Sequence, residues 1–323
     1  MKAAVLGTAG IEVADLETPA PKPNEVLIRV RASTLNRADL IVASGRRHGA
    51  VGGAGARIGL ECAGEVEAVG SDVTGLKPGD RVMATGPGGI AEYAVTDSGR
   101  VHKIPANNMT FEQAACFPVA LGTMHNAIVT AGRFRPGETV LIQGASSGVG
   151  LMGMQIAKMR GAALVMGTST NAERRARLHE FGCDVAIDTT QPAWSEEVKK
   201  ATGGKGVDLI IDMVSAPVAN QNLAAAAVLG RIVNVGRLGG NTGDFDFDLH
   251  AAKRIDYIGV TFRTRSLDEI REINRLMLAD LWPAVESGAL HLPICKTFAL
   301  ADIAPALEMM KANQHFGKIA IVM

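Results

Sequence analysis

Residues 139–150, TVLIQGASSGVG, restrict what this chain can fold into more than any other stretch. The β-prone run Val140, Leu141, Ile142 ends in a loop of small residues, and residues 151–160 follow with helix-forming Leu, Met, Gln, Ala and Lys. That order predicts strand, tight turn, helix. A pyrophosphate can approach the main-chain N–H groups at a helix N-terminus only where no side chain intervenes. This places Gly148 and Gly150 at the point of closest approach and leaves Gly144 to make the turn. The spacing is not the usual G-x-G-x-x-G, and a glycine-rich turn by itself can do no more than pack a helix on a strand.

The next strand-like run, residues 163–168, narrows the possibilities. In a dinucleotide fold the C-terminal end of this strand faces the adenosine ribose, where an acidic side chain binds the 2′-hydroxyl of NAD. Here the end reads Thr168-Ser169-Thr170-Asn171, then Ala172-Glu173-Arg174-Arg175. No carboxylate stands at the strand end to repel a phosphate. Small hydroxyl and amide side chains such as Ser169, backed by Arg174, suit the 2′-phosphate of NADPH, because guanidinium offers planar, charge-assisted donors. The plainer alternative is that Arg174, Arg175 and Arg177 form a solvated helix face.

On either side of this region the pattern changes. Residues 1–122 are dense in Gly and Pro and in short β-like runs, EVLIRVRA at 25–32, CAGEVEAV at 62–69 and RVMA at 81–84, separated by turn signals such as KPGD at 77–80. Many short strands with frequent turns predict a β-barrel-like domain. Thr110 and Gln113 resemble a capping box ahead of Ala114 and Ala115. Beyond Leu121, strand-like runs at 139–145, 163–168, 185–188, 207–214, 230–236 and 256–262 alternate with helical segments at 148–160, 172–181, 194–201 and 217–228. Such alternation means βαβ units in a doubly wound parallel sheet of six strands. Residues 266–286 place Leu267, Ile270, Ile273, Leu276, Met277 and Leu281 on one stripe of a long helix. Residues 293–323 then return to the short-strand style around a helix at 301–312. The expected organisation is a domain at 1–122 completed by 290–323, with 123–289 inserted as the nucleotide-binding domain.

Length favours two domains over one. Lys+Arg and Asp+Glu each number 33, so nothing in the charge calls for nucleic acid or an acidic membrane surface as a partner. Cys62, Cys116, Cys183 and Cys295 are far apart with no C-x-x-C pair, which indicates neither a disulfide framework nor a zinc ribbon; buried thiols in a reducing cytoplasm are expected. The N-terminus lacks a long apolar stretch with a cleavage site, and no uninterrupted apolar run reaches the length of a membrane span.

Taken together, LNRADL at 35–40, GLECAGEVEAVG at 59–70, KPGDRV at 77–82, GGIAEYAV at 88–95, LIQGASSGVG at 141–150, TGGKGVDLIID at 202–212, GRIVNVG at 230–236, TFRTRS at 261–266 and ANQHFGKI at 312–319 carry a resemblance over nearly the whole chain. The chain resembles the medium-chain dehydrogenase/reductase superfamily, in its zinc-independent NADPH:quinone oxidoreductase, zeta-crystallin-like branch. The resemblance implies an α/β protein with a GroES-like β-rich catalytic domain plus an inserted Rossmann sheet. It implies that Asn36 and Asp39 border the nicotinamide pocket, that Thr123 contacts the cofactor, that Ser147, Gly148 and Val149 hold the pyrophosphate, and that Ser169 and Arg174 hold the 2′-phosphate. Gly236, Leu238, Phe262 and Arg263 would frame the nicotinamide, and Lys318 would lie near the C-terminal edge of the cofactor cleft. Relatives often place a Tyr after the third strand of the cofactor domain; here Asp188-Thr189-Thr190 has none.

Zinc relatives carry a Cys where Asn36-Arg37 stands and a His where Leu60 stands, and Glu61 with Cys62 alone cannot complete a tetrahedral site. A metal-free enzyme needs an acceptor that spreads negative charge by itself, which points to a small-molecule quinone or an activated alkene. In related enoyl-thioester reductases a Tyr in the loop after the LNRADL-like segment donates a proton. Here that loop reads SGRRHG at 44–49, where His48 could replace it or could simply be solvated. Arg46 and Arg47 could attract an acidic substrate or serve solubility. Tyr93 reads as core. A low-turnover NADPH-binding module is the reading from another class. Finally, the apolar edge strand 256–262, free of Pro and Lys, predicts a homodimer joined through it.

Overall fold

Six apolar runs of the segment Ala120–Thr261 become one parallel sheet. They are β1 (Thr139–Ile142), β2 (Leu164–Thr168), β3 (Val185–Ile187), β4 (Val207–Asp212), β5 (Ala226–Asn234) and β6 (Asp256–Gly259), in the spatial order β3-β2-β1-β4-β5-β6. The computed structural model describes residues 1–8, 10–49, 51–53 and 55–323. Central strands covered on both faces cannot alternate polar with apolar, and Val140, Leu141, Ile142, Leu209, Ile210 and Ile211 are all fully buried. Leu141 lies opposite Met166 on one side and Ile210 on the other, and these side chains share a core with Trp194, Val198 and Leu223. The helices α1 (Gly148–Met159), α2 (Ala172–Ala176) and α3 (Ala219–Ala225) follow β1, β2 and β4. The strand order reverses between β1 and β4, which in such sheets is where ligands meet the C-terminal strand ends.

Among the boundaries that differ from the pattern-based expectation, two have a physical lesson. The helix expected at 217–228 ends at Ala225, and Ala226 already pairs with Val207 in the sheet, so pairing overrides the helical preference of an alanine run. The sixth strand stops at Gly259 rather than reaching 262.

The other unit joins Met1–Val119 to Phe262–Met323. Among the described residues, one sheet runs in the order Ile294–Ala299, Lys318–Val322, Glu25–Thr34, Glu61–Val69, Arg81–Thr85, Val101–Lys103, with Tyr93–Asp97 also on Glu25–Thr34. The strand Lys318–Val322 thus lies beside an early one, and Ala320 faces Thr34. Val26, Ile28, Val30, Cys62, Val66 and Val82 fill the interior beneath it. The helix Leu267–Glu286 was expected within the nucleotide-binding segment, but it clusters with this unit. It buries Ile270, Ile273, Met277 and Leu281, its Arg271 donates to Asp97 through Nε (3.0 Å) and Nη2 (2.7 Å), and Asn274 donates to the carbonyl of Gly99 (2.9 Å). An apolar stripe announces that a helix packs, not what it packs on. Capping boxes at Thr110–Gln113 and Ser266–Glu269 start their helices, each cap contributing about 1 kcal/mol.

The helical run Phe111–Ala131 is apolar overall without being an uninterrupted apolar run. It is long and apolar enough to cross a membrane, with 72% of that window buried inside the protein, as in a core helix. Glu112, Gln113, His125 and Asn126 interrupt its sequence, which hides it from a search for unbroken apolar runs. Cys62, Cys116 and Cys183 are buried as expected, whereas Cys295 is exposed. Burial pushes the Cys62 and Cys116 thiols up to about 12, so neither supplies thiolate near neutrality.

Candidate functional site

The glycine-rich turn has the geometry its residues call for. Gly144 takes φ +69°, a left-handed conformation that a side chain disfavours. Ser147 caps α1: its Oγ accepts from Gly150 N (3.2 Å) and donates to Gly144 O (3.0 Å). At Gly150 a Cβ would come within 2.6 Å of Ala145 Cα and O. Glycine there is therefore demanded by the packing of helix on turn, a reason separate from an approaching pyrophosphate. The turn is tied to its neighbours by a buried polar chain. Thr168 Oγ1 accepts from Gly144 N (3.0 Å) and donates to Gln143 Oε1 (2.8 Å), and Gln143 Nε2 donates to Asn222 Oδ1 (2.7 Å). Gln143 is thus a positioning residue that strand periodicity could not reveal, since a polar residue at a strand end reads as the start of a loop.

Ser169 lies across from this turn, its Oγ 3.3 Å from that of Ser146. Asn171 caps α2 by accepting from Arg174 N (2.9 Å), and Arg174 is half-buried on that helix. The next residue, Arg175, is engaged elsewhere: it donates to Ser169 O (2.9 Å) and pairs with Asp188 at 2.9 Å. Asp188 is thereby held below the usual carboxylate range, chiefly by its hydrogen bonds to Thr190, with Arg175 adding to the effect. Gly236 sits where a Cβ would come within 2.7 Å of Met213 O, while Leu238 is 49% exposed. Val149 is half-buried beside the buried Gly148, and Thr123 is half-buried on the helix Pro118–His125.

In the unit containing the two chain ends, a second cluster forms around Glu61, which is 0% exposed. Its Oε1 accepts from Thr34 Oγ1 (2.5 Å), Asn36 Nδ2 (2.8 Å) and Lys318 Nζ (2.5 Å), and its Oε2 accepts from Val119 N (2.7 Å). Lys318 also donates to Asn36 Oδ1 (3.0 Å). Lys318 is 3% exposed, and its ammonium balances the Glu61 carboxylate. The same pair fixes the amide of Asn36, whose nitrogen faces Glu61 and whose oxygen faces Lys318. Asp39 is equally enclosed, its two oxygens accepting from Asn36 N (2.7 Å) and Gly59 N (3.0 Å). Burial pushes its carboxyl up to about 7, with the neighbouring Glu61 charge adding to the rise and the two N–H bonds and Lys318 opposing it.

Asn36, Asp39 and Lys318 are thus brought together, around a residue that the sequence expectations used only in excluding zinc. A lone acid in GLECAG and a lone base in GKIAIV, each entering an apolar strand, are the signal that could have found the pair. His48 stands apart on its loop, bridged to Val51 by His48 N to Val51 O (2.7 Å) and Val51 N to His48 O (3.2 Å). That loop lies close to Arg263, since a Cβ on Gly49 would come within 3.2 Å of Arg263 Cα. Phe262 and Arg263 are exposed. Among the described residues no group of three or more His, Cys, Asp or Glu is arranged to hold a metal ion.

Comparison with known proteins matches both kinds of domain. Residues 148–279 match the family described as zinc-binding dehydrogenase, and residues 22–106 match the alcohol dehydrogenase GroES-like domain. The chain is 30% identical over 311 residues to a phenolphthiocerol/phthiocerol polyketide synthase of Mycobacterium tuberculosis, covering 96% of this chain and 14% of that relative. The chain therefore spans only a small part of the length of such relatives. Among solved structures it is similar to a quinone oxidoreductase of Pseudomonas syringae pv. Tomato DC3000, with TM-score 0.88 and 28% identity over 100% of both chains. A mycobacterial protein solved in complex with NADPH gives TM-score 0.88 and 26% identity, again over 100% of both chains. With the inserted parallel sheet, the GroES-like sheet and both family matches in agreement, this chain belongs to the medium-chain dehydrogenase/reductase superfamily of oxidoreductases, in the branch that includes the quinone oxidoreductases.

Proposed function

We propose that this oxidoreductase is an NADPH-dependent, metal-free quinone reductase. The observation that carries the cofactor choice is the end of β2, where Ser169 and Asn171 stand with Arg174 behind them and no carboxylate occupies residues 168–172. Ser147, Gly148, Val149 and Gly150 would hold the pyrophosphate at the start of α1, and Ser169 and Arg174 the 2′-phosphate. Thr123, Gly236, Leu238, Phe262 and Arg263 would serve the nicotinamide end. When bound, NADPH supplies a hydride. Asn36 enters the chemistry with restricted options: its amide N–H groups are directed to Glu61 and to Thr34 O (3.4 Å), so what it can offer a ligand is a carbonyl oxygen that accepts. A quinone suits this protein because it delocalises the charge it receives, and the likeness to a quinone oxidoreductase over the full chain supports that acceptor. The polyketide synthase likeness favours a second reading, an activated α,β-unsaturated carbonyl as acceptor. Measuring NADPH consumption against a panel of quinones and conjugated enones tests all of this. Binding that shifts NADPH fluorescence without consumption by any acceptor would instead support a low-turnover binding module.

NADPH is expected to bind at least tenfold tighter than NADH, about 1.4 kcal/mol. Arg174→Ala should remove most of that difference while leaving NADH affinity within twofold of the unsubstituted protein. Equal losses for both cofactors would show that Arg174 acts on folding or on the pyrophosphate.

We further propose that the active species is a homodimer paired through β6. This strand has β5 as its neighbour on one side, and Tyr257 (37%) and Phe247 (76%) are apolar and exposed beside it. An unprotected edge of this kind templates pairing with another chain. Val260 is a poor place to test it, because its N–H already donates to Asn234 O within the sheet (3.1 Å). By alternation the N–H of Gly259 faces outward, and a Cβ there meets nothing within 4 Å. Gly259→Pro should therefore convert the dimer to monomer in sedimentation velocity at micromolar concentration without unfolding it. A dimer that survives the substitution would place the interface elsewhere.

A further inference from the structure

The nucleotide-binding unit also carries an open cavity of about 240 Å³ between the C-terminal end of β5, the start of α3, the loop 241–245 and β6. Six of its lining residues carry the inference: Ser215, Ala219, Asn234, Arg237, Phe245 and Tyr257. None of them belongs to the set assigned above to the dinucleotide.

One wall is held rigidly in an unfavourable backbone conformation. Ser215 has φ +68° and ψ −123°, which a residue with a Cβ adopts only when its surroundings impose it. The buried Asp212 imposes it by accepting from Val214 N (2.8 Å) and Ser215 N (2.9 Å) on Oδ1. Ser215 Oγ in turn donates to Gly236 O (2.9 Å) and accepts from Asn234 Nδ2. A strained wall held by several hydrogen bonds beside a cavity is the arrangement expected of a preformed ligand surface.

The remaining walls divide by chemistry. Arg237 brings a half-buried guanidinium, which donates to the carbonyl of Val235, two residues earlier, at 3.3 Å, a long bond that leaves most of its donors for other use. The acidic lining residue, Asp244, is exposed to solvent and makes no ion pair with Arg237 among the described residues. Opposite in character is the aromatic side, where the Phe245 ring meets Tyr257 edge-on at 5.5 Å and Phe247 at 5.0 Å. Burial pushes the Tyr257 phenol up, so it stays protonated and available as a donor. At roughly 10–15 Å³ of such volume per water, the 240 Å³ cavity corresponds to about 16–24 water-sized groups, more than a small organic acid of about ten non-hydrogen atoms requires.

We propose that this cavity binds a small organic carboxylate with an apolar body, its carboxylate held by Arg237 and its body resting on Phe245 and Tyr257. Guanidinium pairs with carboxylate and with phosphate alike, and the aromatic wall selects the former when it is attached to carbon. The test is calorimetric titration of the full chain, without NADPH, using benzoate, butyrate and inorganic phosphate as probes. Benzoate is expected to bind at one site per chain and at least tenfold tighter than phosphate. Arg237→Gln should weaken it at least tenfold. Ala219→Leu, which fills the cavity without touching the guanidinium, should do the same, with circular dichroism melts verifying that both variants fold. Phosphate binding as tightly as benzoate would overturn the proposal, as would the absence of saturable benzoate binding, or benzoate binding that neither folded variant changes.

Discussion

Glu61→Ala is expected to destabilise the protein by about 3–5 kcal/mol, because it strands a buried ammonium. Lys318 is 3% exposed and Glu61 0%, so neither charge can turn to water when its partner is removed. The loss also orphans Thr34 Oγ1 and Val119 N, which donate to the same carboxylate. Removing both charges is a different matter, since a buried ion pair replaced by apolar or neutral groups of similar size often costs little. Glu61→Gln combined with Lys318→Met should therefore recover much of what the single alanine variant loses. Urea unfolding of the three proteins decides it. A Glu61→Ala variant within about 1 kcal/mol of the unsubstituted protein would mean that water reaches Lys318 and that the pair is not buried as described.

Asp39 predicts a second large effect, read out by pH. Its carboxyl is pushed up to about 7 by burial, against an ordinary value of 3.8. The folded state therefore holds this proton more tightly than the unfolded chain does. Its contribution is fully present below about pH 4 and is lost progressively as pH rises through 7. At about 1.4 kcal/mol per pH unit, the span between the two values corresponds to roughly 4 kcal/mol. Stability compared at pH 5 and pH 8 should fall in the unsubstituted protein, and the fall should be largely absent in Asp39→Asn, which cannot titrate. Parallel pH profiles for the two proteins would assign the dependence to other groups.

The parts of the fold that were legible in the sequence are those governed by local chemistry. Strands buried on both faces show as unbroken runs such as VLI at 140–142 and LII at 209–211. The capping boxes at Thr110 and Ser266 mark helix starts to the residue. The turn at Gly144 follows from the need for a positive φ. Where local and non-local preferences compete, the sequence misleads. Ala224 to Ala227 reads as helix, yet Ala226 is taken by the sheet. The same limit applies to sites. Ser147, Ser169 and Arg174 lie within one βαβ unit and could be related by spacing alone. Glu61, Thr34 and Lys318 come from three strands and are related only by the sheet that brings them together. Asn36 and Lys318 could be named from a family pattern, but the pattern did not say that Lys318 pairs with Glu61.

The separation of Glu61 from Lys318, 257 positions along the chain, governs the order in which the protein can be finished. At the usual rate of about 5–20 residues per second, a ribosome adds Lys318 roughly 13–50 seconds after Glu61. By then the uninterrupted segment Ala120–Thr261 has all six of its strands and can close on its own. The other unit waits with a carboxylate directed at an interior that still lacks its cation, and its sheet lacks the strand Lys318–Val322. That strand therefore acts as a latch, and contacts of such long range are the slow ones to form. A chain that is clipped or stalled just short of Lys318 would keep its nucleotide-binding segment folded while its other unit stayed open, a form that cellular quality control can recognise and remove.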